Sequence, residues 1–322
     1  MQTPRLIPSL ALAHFPEGKS VHLAVGMFDG VHVGHQAVVN DAKKAAQADG
    51  GLTVVLTFTP HPSRILRPEK PTLLIMDGAQ KIQLLFAAGA DAVIEQPFDA
   101  TIAELDAVSF VPFLKASMPG LKSIHVGRNF RFGKGRNGTP ETLAETGRQY
   151  GIAAAISAPV MADGEPVSST RIRGLLLQGR IEEANCLLGR PYGGCAPVVP
   201  GRQLGRTLGI PTLNLHWERE CRPRYGVYAV RVRAHGTDAP ARDGVANYGT
   251  RPTIDKNEQV PLFEVHLLDA GCPWTTGDVL CVEWLTFLRS EMKFPLLAAL
   301  QAQMQQDKRE AVSFFQASPL AQ

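Results

Sequence analysis

The hydrophobic periodicity of the chain changes once, near Arg190-Pro191, and that change restricts the fold more than any other feature. Between residue 21 and about residue 178, short apolar runs (21–25, 52–59, 92–95, 123–126 and 152–156) alternate with helical patterns (35–48, 79–88, 139–149 and a segment ending at 178). Such alternation predicts a parallel sheet with helices on both faces, whose ligands sit at the carboxyl ends of the strands. A further helix is expected at 181–188, ending at Gly189. Beyond residue 191 the helical pattern nearly vanishes, and strand-length runs at 225–234, 243–246, 262–269 and 279–288 are separated by Gly, Pro and Asp turns. That half reads as an all-β domain, a small closed barrel, with a helical tail at 296–315 packed on it. The expected domains are 1–186 and 187–322.

Composition removes several alternatives. With 322 residues, 44% hydrophobic and 20% charged, the chain has enough apolar material for two ordinary globular cores. A net charge of +3 is too small and too dispersed to argue for nucleic acid, and it suits small anionic substrates. The five cysteines (Cys186, Cys195, Cys221, Cys272 and Cys281) are odd in number and lack a C-x-x-C pair, so neither a disulfide framework nor a zinc site is expected. The N-terminal apolar stretch is broken by Pro8 and His14, no run approaches a membrane span, and the cytosol is the expected compartment.

The stretch GMFDGVHVGH (26–35) carries the strongest chemical signal. It follows the first strand, where Val21, Leu23 and Val25 are expected on one face and Ala24 on the other. Gly26, Gly30 and Gly34 permit a tight bend and close approach of a ligand to the backbone. His32 and His35 fall at the start of the next helix, where unpaired N–H groups and the helix dipole attract anions. Two imidazoles there add directed donors without adding a nucleophile, which suits the stabilisation of a polyphosphate.

Other polar clusters also fall at strand ends: TPHP (59–62), with Pro60 and Pro62, and VGRNFRFGKGRNG (126–138), with Asn129 and Phe130. Ser169 and Thr170 are placed to cap the helix ending at Gln178, whereas Arg171 and Arg173 point to different sides of it. Gly133, Gly135 and Gly138 spell G-x-G-x-x-G, but they stand too far past their strand, and the next strand ends without an acid. A dinucleotide-dependent dehydrogenase is therefore not expected.

A second constellation lies in the β half. Gly201, Gly205 and Gly209 recur every four residues with Arg202 and Arg206 between them, a loop suited to phosphate oxygens. Thr212 and Asn214 supply two neutral oxygens on one side of an extended chain, a set that suits a magnesium ion bridging phosphates. Phe263, Val265 and Leu267 alternate as a buried face, so Glu264 and His266 project together on the other. Glu264 is either a base for a substrate hydroxyl or a strand carboxylate facing water.

In order along nearly the whole chain, the motifs FDGVHVGH, TPHP, VGRNFRFG, SSTRIR, LGRPY, GRTLGIPTLN, GVYAVRV, GVANYGTRPT, EVHLLD and LRSEMKF resemble those of the prokaryotic bifunctional riboflavin kinase and FMN adenylyltransferase, or FAD synthetase, family. The resemblance implies a Rossmann-like N-terminal nucleotidyltransferase domain and a six-stranded barrel kinase with a terminal helix. ATP, riboflavin and FMN would be the substrates and Mg2+ the metal, with no nucleic acid or membrane partner. It implies that His32 and His35 stabilise the ATP phosphates in adenylyl transfer, within a binding set of Gly26, Phe28, Gly30, Gly34, Ser169, Thr170, Arg171 and Arg173. Pro60, Pro62, Asn129, Phe130 and Arg289 would hold flavin. Glu264 would be the kinase base and Thr212 and Asn214 the magnesium ligands, with Gly201, Gly205, Arg206 and Gly209 on the nucleotide. Met27, Cys195-Ala196 and Pro200 depart from the family's usual residues.

Overall fold

The computed structural model describes residues 4–201, 211–250, 261–269 and 271–317. They form two compact units, 1–169 and 170–322 by chain number.

The alternating half runs β1 (Arg5–Ile7), β2 (Val21–Val25), α1 (Val33–Asp49), β3 (Leu52–Thr59), the one-turn α2 (Ser63–Leu66), α3 (Gly78–Ala87) and β4 (Ala92–Pro97). It continues through the short α4 (Ala100–Ala103), α5 (Ala107–Ser117), β5 (Leu121–Gly127), α6 (Pro140–Gln149), β6 (Ala153–Ser157) and a small ribbon of β7 (Met161–Ala162) and β8 (Glu165–Pro166). The six-stranded sheet has the order β1-β4-β3-β2-β5-β6, and every neighbouring pair is parallel.

All five residues of β2 are buried, as a central strand covered on both faces requires. Val21, Leu23 and Val25 pack with Phe110, Leu114 and Leu143, while Ala24 packs with Val38, Val39 and Leu85 on the opposite face. Each such buried aliphatic side chain contributes about 1.5–3 kcal/mol through removal from water. Strand order reverses beside β2: β3 and β4 lie on one side, β5 and β6 on the other. That reversal opens a crevice at the carboxyl ends of β2 and β5, the place where open α/β sheets bind ligands. Helix α1 closes with Gly50 in the left-handed conformation, and Thr139 caps α6 by accepting from Thr142 N. The late glycines open only a single 3-10 turn, Lys134–Arg136, and not a nucleotide-binding helix.

The second half contains α7 (Ser169–Gln178), α8 (Ile181–Leu188), β9 (Tyr192–Val199), β10 (Leu213–Leu215), β11 (Gly226–Ala234), β12 (Arg242–Thr250), β13 (Pro261–Leu267), β14 (Val279–Ser290) and α9 (Leu297–Ala317). The strands close into an antiparallel barrel in the order β10-β13-β12-β11-β14-β9. Its interior is aromatic: the Trp284 ring stacks on Phe263 at 4.8 Å and meets Tyr228 edge-on at 4.6 Å. Helix α8 is tied to the barrel through Asn185, whose amide donates to Trp284 O at 2.8 Å and accepts from Tyr192 N at 2.6 Å. Helix α9 packs on β11, β12 and β14.

One expectation fails in this half. The cysteine pattern signalled no disulfide, yet β9 and β14 pair with Cys195 opposite Cys281, and the two are bonded across a sequence separation of 86. Strand register brings them together, and spacing along the chain carries no trace of it. Gly205, Arg206 and Gly209 lie outside the described residues.

Candidate active sites

The first site is the turn between β2 and α1. Phe28 (φ 52) and Val31 (φ 37) adopt left-handed conformations that non-glycine residues rarely take, with Gly30 (φ 86) between them. Such strain costs about 1–3 kcal/mol per residue and persists only where surrounding contacts impose it. Those contacts are present. The Asp29 carboxylate accepts from Ile75 N at 3.0 and 3.3 Å, its carbonyl accepts from Ser169 Oγ at 2.8 Å, and Val31 O accepts from Gln36 Nε2 at 2.9 Å. The Phe28 ring is buried over Gly26, where an added Cβ would approach it to 3.2 Å.

His32 is the N-cap of α1, and its Nδ1 accepts from His35 N at 3.2 Å. That bond leaves the proton on Nε2, so His32 presents a donor there. The His32 and His35 rings stack at 3.6 Å, and Phe28 meets His35 edge-on at 5.3 Å. A Cβ at Gly34 would stand 3.1 Å from the His32 ring, which explains the glycine there. One histidine is thus both helix cap and candidate donor, beside the positive end of α1.

Ser169 does not cap α7 as the sequence suggested. It is the first helical residue, and its hydroxyl is spent on Asp29 O. Thr170, Arg171 and Arg173 belong to the second compact unit; Thr170 is exposed and both arginines are half-buried.

Two cavities adjoin the turn. The larger, about 480 Å³, is lined by Gly26, Met27, Phe58, Pro62, Asn129 and Phe130 among others, and is largely apolar. Phe130 stacks on Phe132 at 5.4 Å in its wall. The smaller, about 160 Å³, takes in Pro60, Asp77, Lys81 and Glu95. The two prolines of TPHP therefore face different cavities, while Met27 and Phe58 line both. Lys81 escaped the sequence reading because it continues the apolar face of α3. Its ammonium is buried near Thr57 Oγ1 (3.2 Å) and Glu95 Oε1 (3.5 Å). Burial lowers its pKa and Glu95 opposes the shift.

The second site is on the barrel's outer face. Strand register sets Glu264 between Asn214 of β10 and Asn247 of β12, so three polar side chains form one row across adjacent strands. The burial of β13 alternates as expected, with Phe263, Val265 and Leu267 inside. Gly201 lies so close to the Asn214 amide that any side chain there would overlap it. Gly201, Thr212, Asn214, His266 and Thr275 line a cavity of about 400 Å³. His266 Nδ1 donates to Pro211 O at 2.9 Å, and burial pushes its pKa down. Arg289 is held by a bidentate pair with Asp307, both contacts at 2.7 Å, and so anchors α9 to β14.

Residues 15–171 match the FAD synthetase family and residues 188–315 match the riboflavin kinase family. A bifunctional riboflavin kinase/FMN adenylyltransferase of Haemophilus influenzae is 35% identical over 91% of this chain and 94% of its own length. The chain belongs to the bifunctional riboflavin kinase/FMN adenylyltransferase family. A Bacillus subtilis relative of the same description is 35% identical, with 93% of each chain covered. A solved Streptococcus pneumoniae structure, described as a macrolide-efflux protein, superposes with a TM-score of 0.84 at 31% identity, covering 96% of this chain and 98% of that one. Among the described residues no helix is long and apolar enough to cross a membrane. Within this family the turn after β2 falls in the FAD synthetase segment, and the Asn214-Glu264-Asn247 row falls in the riboflavin kinase segment.

Proposed function

We propose that the barrel phosphorylates riboflavin with ATP and that the sheet domain joins the FMN product to AMP, releasing pyrophosphate. The observation that supports this reading is that the His32–His35 turn lies inside the segment matched by the FAD synthetase family, and that Thr212, Asn214 and Glu264 lie inside the segment matched by the riboflavin kinase family.

In the sheet domain the phosphate of FMN attacks the α-phosphorus of ATP. A phosphate monoester is already ionised near neutral pH, so the step needs no base. It needs charge stabilisation instead, which His32 Nε2–H, His35 and the start of α1 provide. Gly26, Gly30 and Gly34 allow the backbone to approach the nucleotide, and Phe28 holds that turn in shape. Ser169 steadies the turn through its hydrogen bond to Asp29 O. Pro62, Asn129 and Phe130 hold the flavin in the larger cavity, with Pro60 next to it.

In the barrel the nucleophile is riboflavin's 5′-hydroxyl, which must lose a proton. Glu264 accepts it. Thr212 and Asn214 are hard, neutral oxygen donors in one cavity, a set that fits Mg2+ retaining most of its water. When bound, the metal supplies charge neutralisation on the ATP phosphates. Gly201 lines the same cavity; the phosphate role of Gly205, Arg206 and Gly209 rests on their sequence pattern alone, and Arg289, oriented by Asp307, is assigned to the flavin.

A chromatographic time course with riboflavin, ATP and Mg2+ is expected to give FMN first and FAD after it. Absence of both products would overturn the reading.

A further inference from the structure

The outward face of the barrel carries a cluster that neither phosphate site uses. Cys195 and Cys281 are register partners on β9 and β14, and their neighbours Ala196, Leu280 and Val282 are buried, so both sulfurs point away from the barrel interior. His235, the residue after β11, brings Nδ1 to 3.5 Å from Cys195 Sγ and 3.4 Å from Cys281 Sγ. The three potential ligand atoms lie within 4.8 Å of one another. The two sulfurs form a disulfide in this structure.

We propose that the reduced Cys195–Cys281 pair, together with His235, is a binding site for a thiophilic metal ion of the zinc class. Two thiolates and an imidazole are a soft donor set, in contrast to the hard oxygens of Thr212 and Asn214, so the two sites select different ions. Tetrahedral zinc with Zn–S of about 2.3 Å and Zn–N of about 2.0–2.1 Å separates S from N by roughly 3.6 Å. The two S···N distances already approach that value.

The scaffold holds the donors in place. Both cysteines sit on paired strands of a closed barrel, and His235 N donates to Val279 O at 2.9 Å. Arg233 stands opposite Cys281 in the β11–β14 register, on the exposed side. A cation beside a thiol favours the thiolate, which is the ligating form. Three protein ligands leave one coordination position open.

The disulfide form offers no thiolate, so oxidation and metal binding exclude each other. An external dithiol opens the site by exchange: it supplies two electrons and two protons, yielding two cysteine thiols, and becomes a disulfide itself. Metal binding then releases the thiol protons to the buffer.

The test titrates Co2+ and, in competition, Zn2+ into the anaerobic full-length protein after dithiol reduction and removal of the reductant. The reduced protein is expected to take up one Co2+ per chain, with a thiolate-to-cobalt charge-transfer band and strong tetrahedral visible bands that Zn2+ abolishes. The disulfide form and the double variant Cys195→Ser/Cys281→Ser should lack both bands. His235→Ala should weaken binding by about tenfold or more. Cys186→Ser/Cys272→Ser should retain the bands, with far-ultraviolet circular dichroism checking the fold of each variant. Absence of the charge-transfer band in the reduced protein, its persistence in Cys195→Ser/Cys281→Ser, or unchanged affinity in His235→Ala overturns the assignment.

Discussion

The turn after β2 offers two imidazoles and a helix terminus, whereas the row across β10, β13 and β12 offers a carboxylate flanked by two amides. The contrast follows the two nucleophiles proposed for them. A phosphate monoester arrives ionised, and the site that receives it has only to stabilise charge. A sugar-like hydroxyl arrives protonated, and its site needs an acceptor. The backbones differ accordingly. A strained turn at a sheet switch point sets two stacked imidazoles at the start of a helix, while an antiparallel ladder sets side chains of separate strands in a row.

The largest effect should come from Glu264→Gln. Loss of the base is expected to slow FMN formation by about 10³, with FAD formation from supplied FMN unchanged. Separate assays with riboflavin and with FMN decide this, and an unaffected kinase step would remove the contrast between the sites. His32→Ala should do the reverse, slowing FAD formation by about 10² while sparing the kinase. His32→Asn sharpens the result: it restores a cap worth about 1 kcal/mol but not the Nε2 donor, so stability should recover without activity.

Acid should act on the sheet through a buried network. Ser123 Oγ lies 2.7 Å from both His22 Nδ1 and His125 Nε2, and His22 Nε2 lies 3.1 Å from Asp49. Burial, and next the charge of His22, push the His125 pKa down to about 4 from the usual 6.5. The unfolded chain therefore takes up this proton first. The contribution to stability is whole above pH 6.5 and is lost as pH falls toward 4, the loss amounting to about 2 kcal/mol at pH 5. Hydrogen exchange of β2 and β5 peptides at pH 7 and pH 5 should reveal the loss, and His125→Asn should flatten it. Gly34→Ala, which crowds the His32 ring, should slow FAD formation by about tenfold and leave FMN formation alone.

The parts of this contrast legible in the sequence were those written in local pattern. The β2 run, the α1 stop at Gly50, the α8 stop at Gly189 and the alternation of β13 all appear in the structure within a residue or two. Elements held by distant partners were not legible. Strand β1 has three residues and exists by pairing with Ala92–Ile94, and β10 is equally short. Helix α5 carries Pro112 inside it and lacks a clean amphipathic rhythm. The same reason hid Asp29, whose role depends on Ile75, and Asn247, which reaches Glu264 only through barrel register. The cysteine pair is the clearest case, since 86 residues separate two side chains that a strand pairing sets face to face.

The division of labour between two independent sites is tested most directly by mixing. Glu264→Gln and His32→Ala, each supplied alone with riboflavin, ATP and Mg2+, are expected to make little or no FAD. Combined in one vessel they should make FAD readily, because FMN formed by the barrel of one variant is used by the sheet domain of the other. A mixture that makes no more FAD than the two variants apart would contradict the existence of two separate, freely exchanging sites.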